Sequence, residues 1–588
     1  MILKCKIGNQ SNFNLAHAIF TAIEKQAQNQ YSAALNIHRL LPALFLAICI
    51  YVLHVPVQIM DVDAAQYASM GREMLERGDF LHVFDRGNPY LDKPPLIFWL
   101  TAGSYWLFGM SNFAFKLPAI LFALLGIFSV YRFGRLWYDR ETGALAALLL
   151  GLTQGYFHFT NDVRTDVYLT NAVIASIWML SEQYRKPRSW WWIGAFFFAG
   201  IGMLAKGPLG LVVPALALGT HVLIRGEFKA ILNWRWFVGL FVVLIVLAPM
   251  LIGLYEQFDL HPEKLVNGRN GVSGLRFYFW EQSFGRITGE NVWKNDSTPF
   301  FFVHSFAWSF LPWTLLFVFG FANRSWDLIQ RKTRHYPEWI SYGGFLLPFI
   351  ALSFSKYKLP HYIYVVFPLA SIIAAVWLVN VFREGKGKLI SRVFYAQFIL
   401  FVLVWILAGV VFLWFFPIRH GFEIAIAVLG LAGFSFFAFG GKFLTWQRFL
   451  LISASSALSI NALMAIRFYP DVLSYQAGGT VGMFIKDQKL NSGEVFNFKA
   501  GSRALDVYAQ ATIRDLTENQ LDSLLNRNAH FYVYTGKQGF EFISTKQAEK
   551  KIVMQLEDFP VTLLRMNFGN PQKRPETLRP KYLLEINP

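Results

Sequence analysis

The chain is 588 residues long, 55% hydrophobic and 17% aromatic, with 15% charged residues against the roughly 25% usual in soluble chains. Disorder, collagen and coiled coil are excluded, two cysteines exclude a disulfide scaffold, and a polytopic membrane protein with mean hydropathy +0.37 remains. The 54 Lys and Arg exceed the 37 Asp and Glu by 17, which suits nucleic acid, an anionic membrane surface or an anionic substrate until the positions of the charges decide.

Residues 1–38 are mixed and polar, carry Cys5 and show no cleavable signal. The first apolar run, 40–57, holds Cys49 and reads as an uncleaved span that also serves as the insertion signal. With one thiol in each, no disulfide framework or zinc-type cysteine cluster is possible. Spans need about 20 apolar residues. Further runs occur at 113–131, 143–160, 167–182, 190–205, 207–224, 234–254, 300–320, 338–354, 360–382, 394–416, 421–440 and 447–466, which makes thirteen in all. Leu96–Phe108 is shorter, follows Lys93-Pro94-Pro95 and precedes Gly109, so it reads as an interfacial or re-entrant helix.

Loop charge orients these runs. With an inside N-terminus, every inside loop is basic, from Arg132/Arg135/Arg140 to Lys442/Arg448. If Leu96–Phe108 also spanned, those clusters would fall outside. The charge bias therefore favours thirteen spans, outside loops at 58–112 and 255–299, and a C-terminal tail, 470–588, on the outer face. That tail alternates strand-like runs (494–498, 530–535, 561–566, 582–586) with a polar helix-like stretch, 517–526. The expected fold is an all-α polytopic membrane domain, 39–469, followed by a small extracytoplasmic α/β domain. No internal repeat is present, which argues against inverted-repeat transporters.

Chemistry concentrates at the outer ends of the spans. Asp61 and Asp63 follow the first span two residues apart. In an extended segment they face one way and suit a cation or general-base work, while the plainer reading is a solvated loop start with Asp63 as helix N-cap. Asp162, Arg164 and Asp166 open the fourth span, and spacing i, i+4 puts Asp162 and Asp166 on one helix face. Lys93, Lys206, Lys356 and Lys358 all lie at outside loop–span junctions. They suit an anionic ligand such as a lipid phosphate, or they snorkel to headgroups. In the 255–299 loop, Arg286 suits phosphate and Glu281 a metal, although most such charges only solvate a loop. His304 and His361 lack ligand spacing and read as core or interface histidines. No phosphate-binding glycine loop or DNA-binding module is found, so nucleic acid is not the partner.

The order of motifs is specific. It runs from Asp63-x-x-x-Tyr67 through Asp92-Lys93-Pro94-Pro95, Thr165-Asp166 and Lys206-Gly207-Pro208 to Pro299-Phe300, Leu311-Pro312-Trp313 and Lys358-Leu359-Pro360. It resembles the GT-C glycosyltransferases of the protein O-mannosyltransferase and aminoarabinose-transferase group over roughly 40–470. The resemblance implies a bacterial inner-membrane enzyme that uses a polyprenyl-phosphate sugar on the outer face. Asp63 then matches the first-loop acid, a base or acceptor-orienting group, with Asp61 beside it, and Asp166 matches the second acid. Lys93, Lys206 and Arg286 match the phosphate-binding cations, with Lys356, Lys358 and Tyr362 assisting. Asp92, and Glu281 near the place of the large-loop histidine, imply a divalent metal ion. The chain departs from the group in carrying Ala64 and Gln66 where Glu and Arg are common. The expected reaction is an inverting transfer to a lipid A-like lipid, a protein hydroxyl or a surface glycan. The competing readings are a transporter or flippase of a lipid-linked sugar, which calls for charges buried in mid-span, and a membrane scaffold, which leaves the outer acids and lysines unexplained.

Overall fold

The computed structural model describes residues 37–587 apart from 231–232, 267, 283–284, 286–294, 296, 385–386, 441–444 and 528. The polar stretch expected at 1–38 therefore lies almost wholly outside the described residues. The first half of the chain forms α1 (Ile37–Leu53), α2 (Asp63–Arg77), α3 (Leu96–Phe108), α4 (Asn112–Trp137), α5 (Arg140–Gly151), α6 (Gln154–Asn161), α7 (Thr165–Arg185), α8 (Ser189–Lys206), α9 (Leu209–Arg225) and α10 (Arg235–Leu254). After the large loop come α11 (Phe301–Ser309), α12 (Thr314–Ile329), α13 (Ile340–Ser353), α14 (Phe367–Arg383), α15 (Gly387–Gly409), α16 (Gly421–Phe439) and α17 (Thr445–Leu463).

Helix starts follow capping chemistry. Ser111 accepts a hydrogen bond from the Ala114 N–H at the head of α4, and Asp139 does the same for Thr142 at the head of α5. Six described helices are long and apolar enough to cross a membrane: Asn112–Trp137, Arg235–Asp259, Pro360–Arg383, Ser391–Phe415, Gly421–Phe439 and Gln447–Leu473. At 1.5 Å per residue the 13-residue α3 reaches only about 20 Å, short of the roughly 30 Å hydrocarbon core.

Two of the expected continuous runs are broken. The run at 143–160 splits into α5 and α6, and that at 300–320 splits into α11 and α12. The breaks meet, because the Gln154 N–H at the start of α6 donates to the Leu311 carbonyl at 2.8 Å, so backbone groups released by one break are satisfied by the other. Gly155 permits the approach, since a Cβ there would lie 2.9 Å from the Ser309 carbonyl oxygen.

The tail carries a five-stranded sheet in the order β4-β3-β5-β7-β6: β3 is Val495–Phe498, β4 Arg514–Asp515, β5 Phe531–Gly536, β6 Glu549–Asp558 and β7 Arg579–Asn587. (β1, Phe84–Asp85, and β2, Asn88–Pro89, form a hairpin in the first loop.) β3 pairs parallel with β4 and β5, and β7 pairs antiparallel with β5 and β6. Helix Glu518–Asn526 forms where the polar stretch predicts it, with Thr517 and Gln520 as a capping box. The expected strand at 561–566 is instead irregular, and the true fourth long strand is β6. Its alternation was masked by lysines and glutamates, which an edge strand carries on its open face.

Candidate active site

The acids and cations converge where α2, α7, α8 and the 3₁₀ turn Pro360–Val366 meet. The chain turns at 61–62 and α2 begins at Asp63, whose side chain caps nothing. Its carboxylate instead pairs with the Arg164 guanidinium. Arg164 is thrown toward it because the chain is extended there, between the end of α6 and the start of α7. The same guanidinium donates from Nε to Asp162 Oδ2 at 2.6 Å. Asp162 and Asp166 therefore do not share a helix face. The break at 162–164 separates them, and each takes its own cation.

Lys206 is the last residue of α8. Gly207, at φ +85°, ends the helix in a conformation only glycine adopts freely, and Pro208 leads into α9. This turn delivers Lys206 Nζ to Asp166 Oδ1 at 2.6 Å, with the Tyr362 ring centroid 3.7 Å away. His361 Nε2 is 3.8 Å from Asp166 Oδ2. Arg164, Lys206 and Lys93 all act on His361 electrostatically, which brings Lys93 into the same cluster. Burial pushes the Tyr67 hydroxyl well up; Asp63, Asp92 and Asp166 push it further and Arg164 opposes them. Tyr67 is thus held as a neutral hydroxyl among the acids. Lys93 itself pairs with Asp92.

Exposure distinguishes the acids. The Asp63 side chain is 42% exposed, against 9% for Asp162 and 3% for Asp166. Asp63 is therefore the carboxylate of the three that an incoming molecule reaches.

Other expected residues lie elsewhere. Asp61 faces the tail domain: it accepts from Ser502 Oγ at 2.8 Å and from the Arg503 N–H at 3.1 Å. The turn before α2 breaks the extended segment that would have aimed it alongside Asp63. Lys358 is buried and donates to the Ser297 carbonyl at 3.0 Å, tying down the end of the large loop, whereas Lys356 is exposed. Arg286 lies outside the described residues. His304 is exposed rather than buried, and His361 belongs to the cluster. The two carboxylates expected to bind metal each hold a cation: Asp92 pairs with Lys93, and Glu281 sits 3.0 Å from Arg269 and 3.8 Å from Arg276. Among the described residues no three His, Cys, Asp or Glu gather into a group that could hold a metal ion.

Sequence reasoning passed over Arg164 as a site residue. Its signal was present: an arginine between two acids, on the side where cations are disfavoured. It also missed the brace behind α2. Gln66 donates to Asp85 Oδ2 at 2.8 Å, and Arg503 of the tail grips both Asp85 oxygens at 2.6 and 2.8 Å.

A family model described as dolichyl-phosphate-mannose-protein mannosyltransferase matches residues 92–252, the stretch holding Asp92, Lys93, Arg164, Asp166 and Lys206. The undecaprenyl phosphate-α-4-amino-4-deoxy-L-arabinose arabinosyl transferase 1 of Sodalis glossinidius (strain morsitans) is 30% identical over 343 residues, 57% of each chain. That of Edwardsiella ictaluri (strain 93-146) is 25% identical over 435 residues, 70% of this chain and 74% of the relative. The match thus spans little more than half of the first relative's length. The crystal structure of ArnT from Cupriavidus metallidurans bound to undecaprenyl phosphate superposes with a TM-score of 0.72 at 16% identity, covering 94% of this chain and 98% of that one. Its apo form gives 0.70 over 93% and 97% at the same identity. The chain is a multi-pass membrane protein with the GT-C fold of these transferases, as its motif order implied.

Proposed function

We propose that the chain transfers a sugar from a polyprenyl-phosphate donor to a lipid acceptor, and that Asp63 is the base. The observation that carries this reading is the asymmetry of the cluster: of its four carboxylates, held by Arg164, Lys206 and Lys93, Asp63 is the most open, 42% exposed against 27% for Asp92, 9% for Asp162 and 3% for Asp166. The aminoarabinosyl donor and the lipid A-like acceptor are taken from the relatives' activity and from the resemblance. Protein and glycan acceptors are the alternatives.

In an inverting transfer the acceptor oxygen attacks the anomeric carbon from the face opposite the phosphate. The sugar–phosphate C–O bond breaks, and its electron pair leaves on the polyprenyl phosphate. The acceptor's proton passes to the Asp63 oxygen turned away from Arg164, which holds the carboxylate in place. Lys206 and Lys93 stabilise the charge growing on the leaving phosphate with the N–H donors that their carboxylate partners leave over. Their pairing with Asp166 and Asp92 keeps both ammonium groups desolvated and aimed before the donor arrives. We propose that the reaction needs no divalent ion. The basic loops support an outer-face reaction centre and a periplasmic tail.

The test is transfer by full-length purified protein with a polyprenyl-phosphate sugar and lipid acceptor. Asp63→Asn should abolish most of it, and near-wild-type turnover overturns the assignment. A transporter is disfavoured because the mid-chain charges buried in helices serve structure. Lys116, for instance, donates to the His54 and Val57 carbonyls at 3.0 and 2.6 Å, closing the end of the first span.

A further inference from the structure

The tail exposes few large apolar side chains, and they gather in one place. Among its described residues they are Ile552, Leu563, Leu564 and Met566. The last three, 61%, 48% and 74% exposed, stand in a single loop, 562–567, every residue of which is exposed. This is the stretch where a strand was expected and none forms. Clustered apolar exposure of this kind marks a surface that something covers.

The loop is held in shape and rooted on a membrane span. The Leu563 N–H donates to the Pro560 carbonyl at 2.8 Å, and the Phe568 N–H donates to the Arg565 carbonyl at 3.0 Å. The two ends meet, because the Phe559 and Phe568 rings stack with centroids 3.9 Å apart, which is the closure of a compact Ω-loop. The Phe568 ring centroid is 6.2 Å from that of Phe416, the residue that follows the span Ser391–Phe415. Gly569 lies so close to Phe415 that a Cβ there would come within 2.8 Å of the ring. Arg574 donates to the Phe415 carbonyl at 2.6 Å, and its guanidinium is 4.7 Å from the Phe416 ring centroid. Leu413, Trp414 and Phe422, beside this root, are exposed and belong to the lipid-facing belt of the bundle. The chain can carry Leu563, the farthest of the three apolar residues, at most about 18 Å from Phe568.

We propose that the loop 562–567 enters the bilayer surface beside the span Ser391–Phe415 and anchors the tail to the leaflet on its side. Leu563, Leu564 and Met566 enter the boundary between headgroups and acyl chains, where apolar side chains leave water. Arg565, exposed among them, reaches back to the lipid phosphates along its aliphatic stem. The occupant is lipid because the root of the loop is continuous with a surface that lipid already covers. A protein partner or a second copy would have to displace that lipid. The basic inner loops make this the outer leaflet.

The experiment uses the full-length protein in nanodiscs. Nitroxide labels are placed at single cysteines, Leu563→Cys, Leu564→Cys or Met566→Cys, in a chain carrying Cys5→Ser and Cys49→Ser, with Lys551→Cys on β6 as the control in water. Collision with oxygen, which partitions into the bilayer, is compared with collision with a nickel chelate, which stays in water. The expected result is a depth of about 5–10 Å below the phosphates at the three loop sites. At Lys551, whose side chain is 71% exposed, free contact with nickel is expected. Nickel contact at the loop equal to that at Lys551 overturns the proposal, since the loop then lies in water. Shielding of the loop from both reagents overturns it as well, since protein then covers it. A second measurement needs no substitution: a lipid with a photoactivatable group on its acyl chain should label 562–567 of the unmodified chain along with exposed Leu429 in α16. Labelling of Leu429 with none at 562–567 overturns the proposal, even if the cysteine variants fail to fold.

Discussion

Each end of the helical bundle holds an arginine paired with acid, one carboxylate for Arg324 and two for Arg164, and the two sites are built differently. At the basic-loop end, Arg324 is 1% exposed and Glu338 not at all. Arg324 donates to Glu338 at 3.1 Å and Ser341 Oγ at 2.8 Å, Tyr138 donates to Glu338 at 2.6 Å, and the Tyr336 ring lies 4.5 Å from the guanidinium. This network is closed, and it joins the end of α4 to α12 and α13. At the acid end, Arg164 bridges Asp162 and Asp63, but Asp63 is open to solvent, so a partner can enter. A sealed ion pair holds helices together. A pair with one exposed carboxylate can also do chemistry, since its exposed oxygen can change partners without leaving a buried charge behind.

The contrast can be broken by substitution. The largest effect is expected from Asp63→Asn, with transfer falling by about 10²–10⁴ while the melting temperature stays near wild type. Lys206→Ala should cost about 10²–10³ in turnover, and it also strips buried Asp166 of its lysine, so a melting curve must accompany the assay. Arg324→Ala reverses the pattern: leaving Glu338 buried and unpaired should destabilise the protein by about 3–5 kcal/mol, while the folded fraction transfers sugar at the normal rate. Adding a chelator should change turnover least of all; its abolition by EDTA, with recovery on adding a divalent ion, would contradict the metal-free reading.

A gentler probe concerns the joint between the membrane domain and the tail. Burial raises the Asp61 carboxyl above its usual range, and the bonds from Ser502 and Arg503 only partly counter this. The charged form is therefore penalised in the docked state. That penalty is complete above the raised value and disappears below the ordinary carboxylate range. Relative to Asp61→Asn, whose side chain does not titrate, the wild-type tail should become more protease-resistant as pH falls from neutral toward 4. Flat or opposite pH dependence of the difference would show that Asp61 docks chiefly as a charge.

Much of this architecture was legible from periodicity and charge. Every apolar run is helical, the sheet domain follows the last span, and the motif order pointed to the fold. The runs at 143–160 and 300–320 hid their breaks because apolar residues continue through them; what interrupts the helices is the contact between the two breaks. Strand β6 was hidden by its lysines, and Asp61 was misplaced because a single turn redirects a side chain without changing composition.

Length, apolar patterning and the side on which lysines and arginines fall were sufficient to establish a polytopic membrane protein and to indicate at which ends of its helices the acids and lysines gather, since these follow from local hydration and insertion. Tertiary structure alone decided the pairings. Asp63 meets Arg164 across 101 residues, Asp166 meets Lys206 across 40, and Asp61 meets Ser502 across 441. An ion pair depends on angstrom-scale distance and on shared burial, and neither is set by spacing along the chain once several helices intervene. The division of labour among like residues — Asp63 open, Asp166 enclosed, Asp61 turned to the tail — follows from that packing.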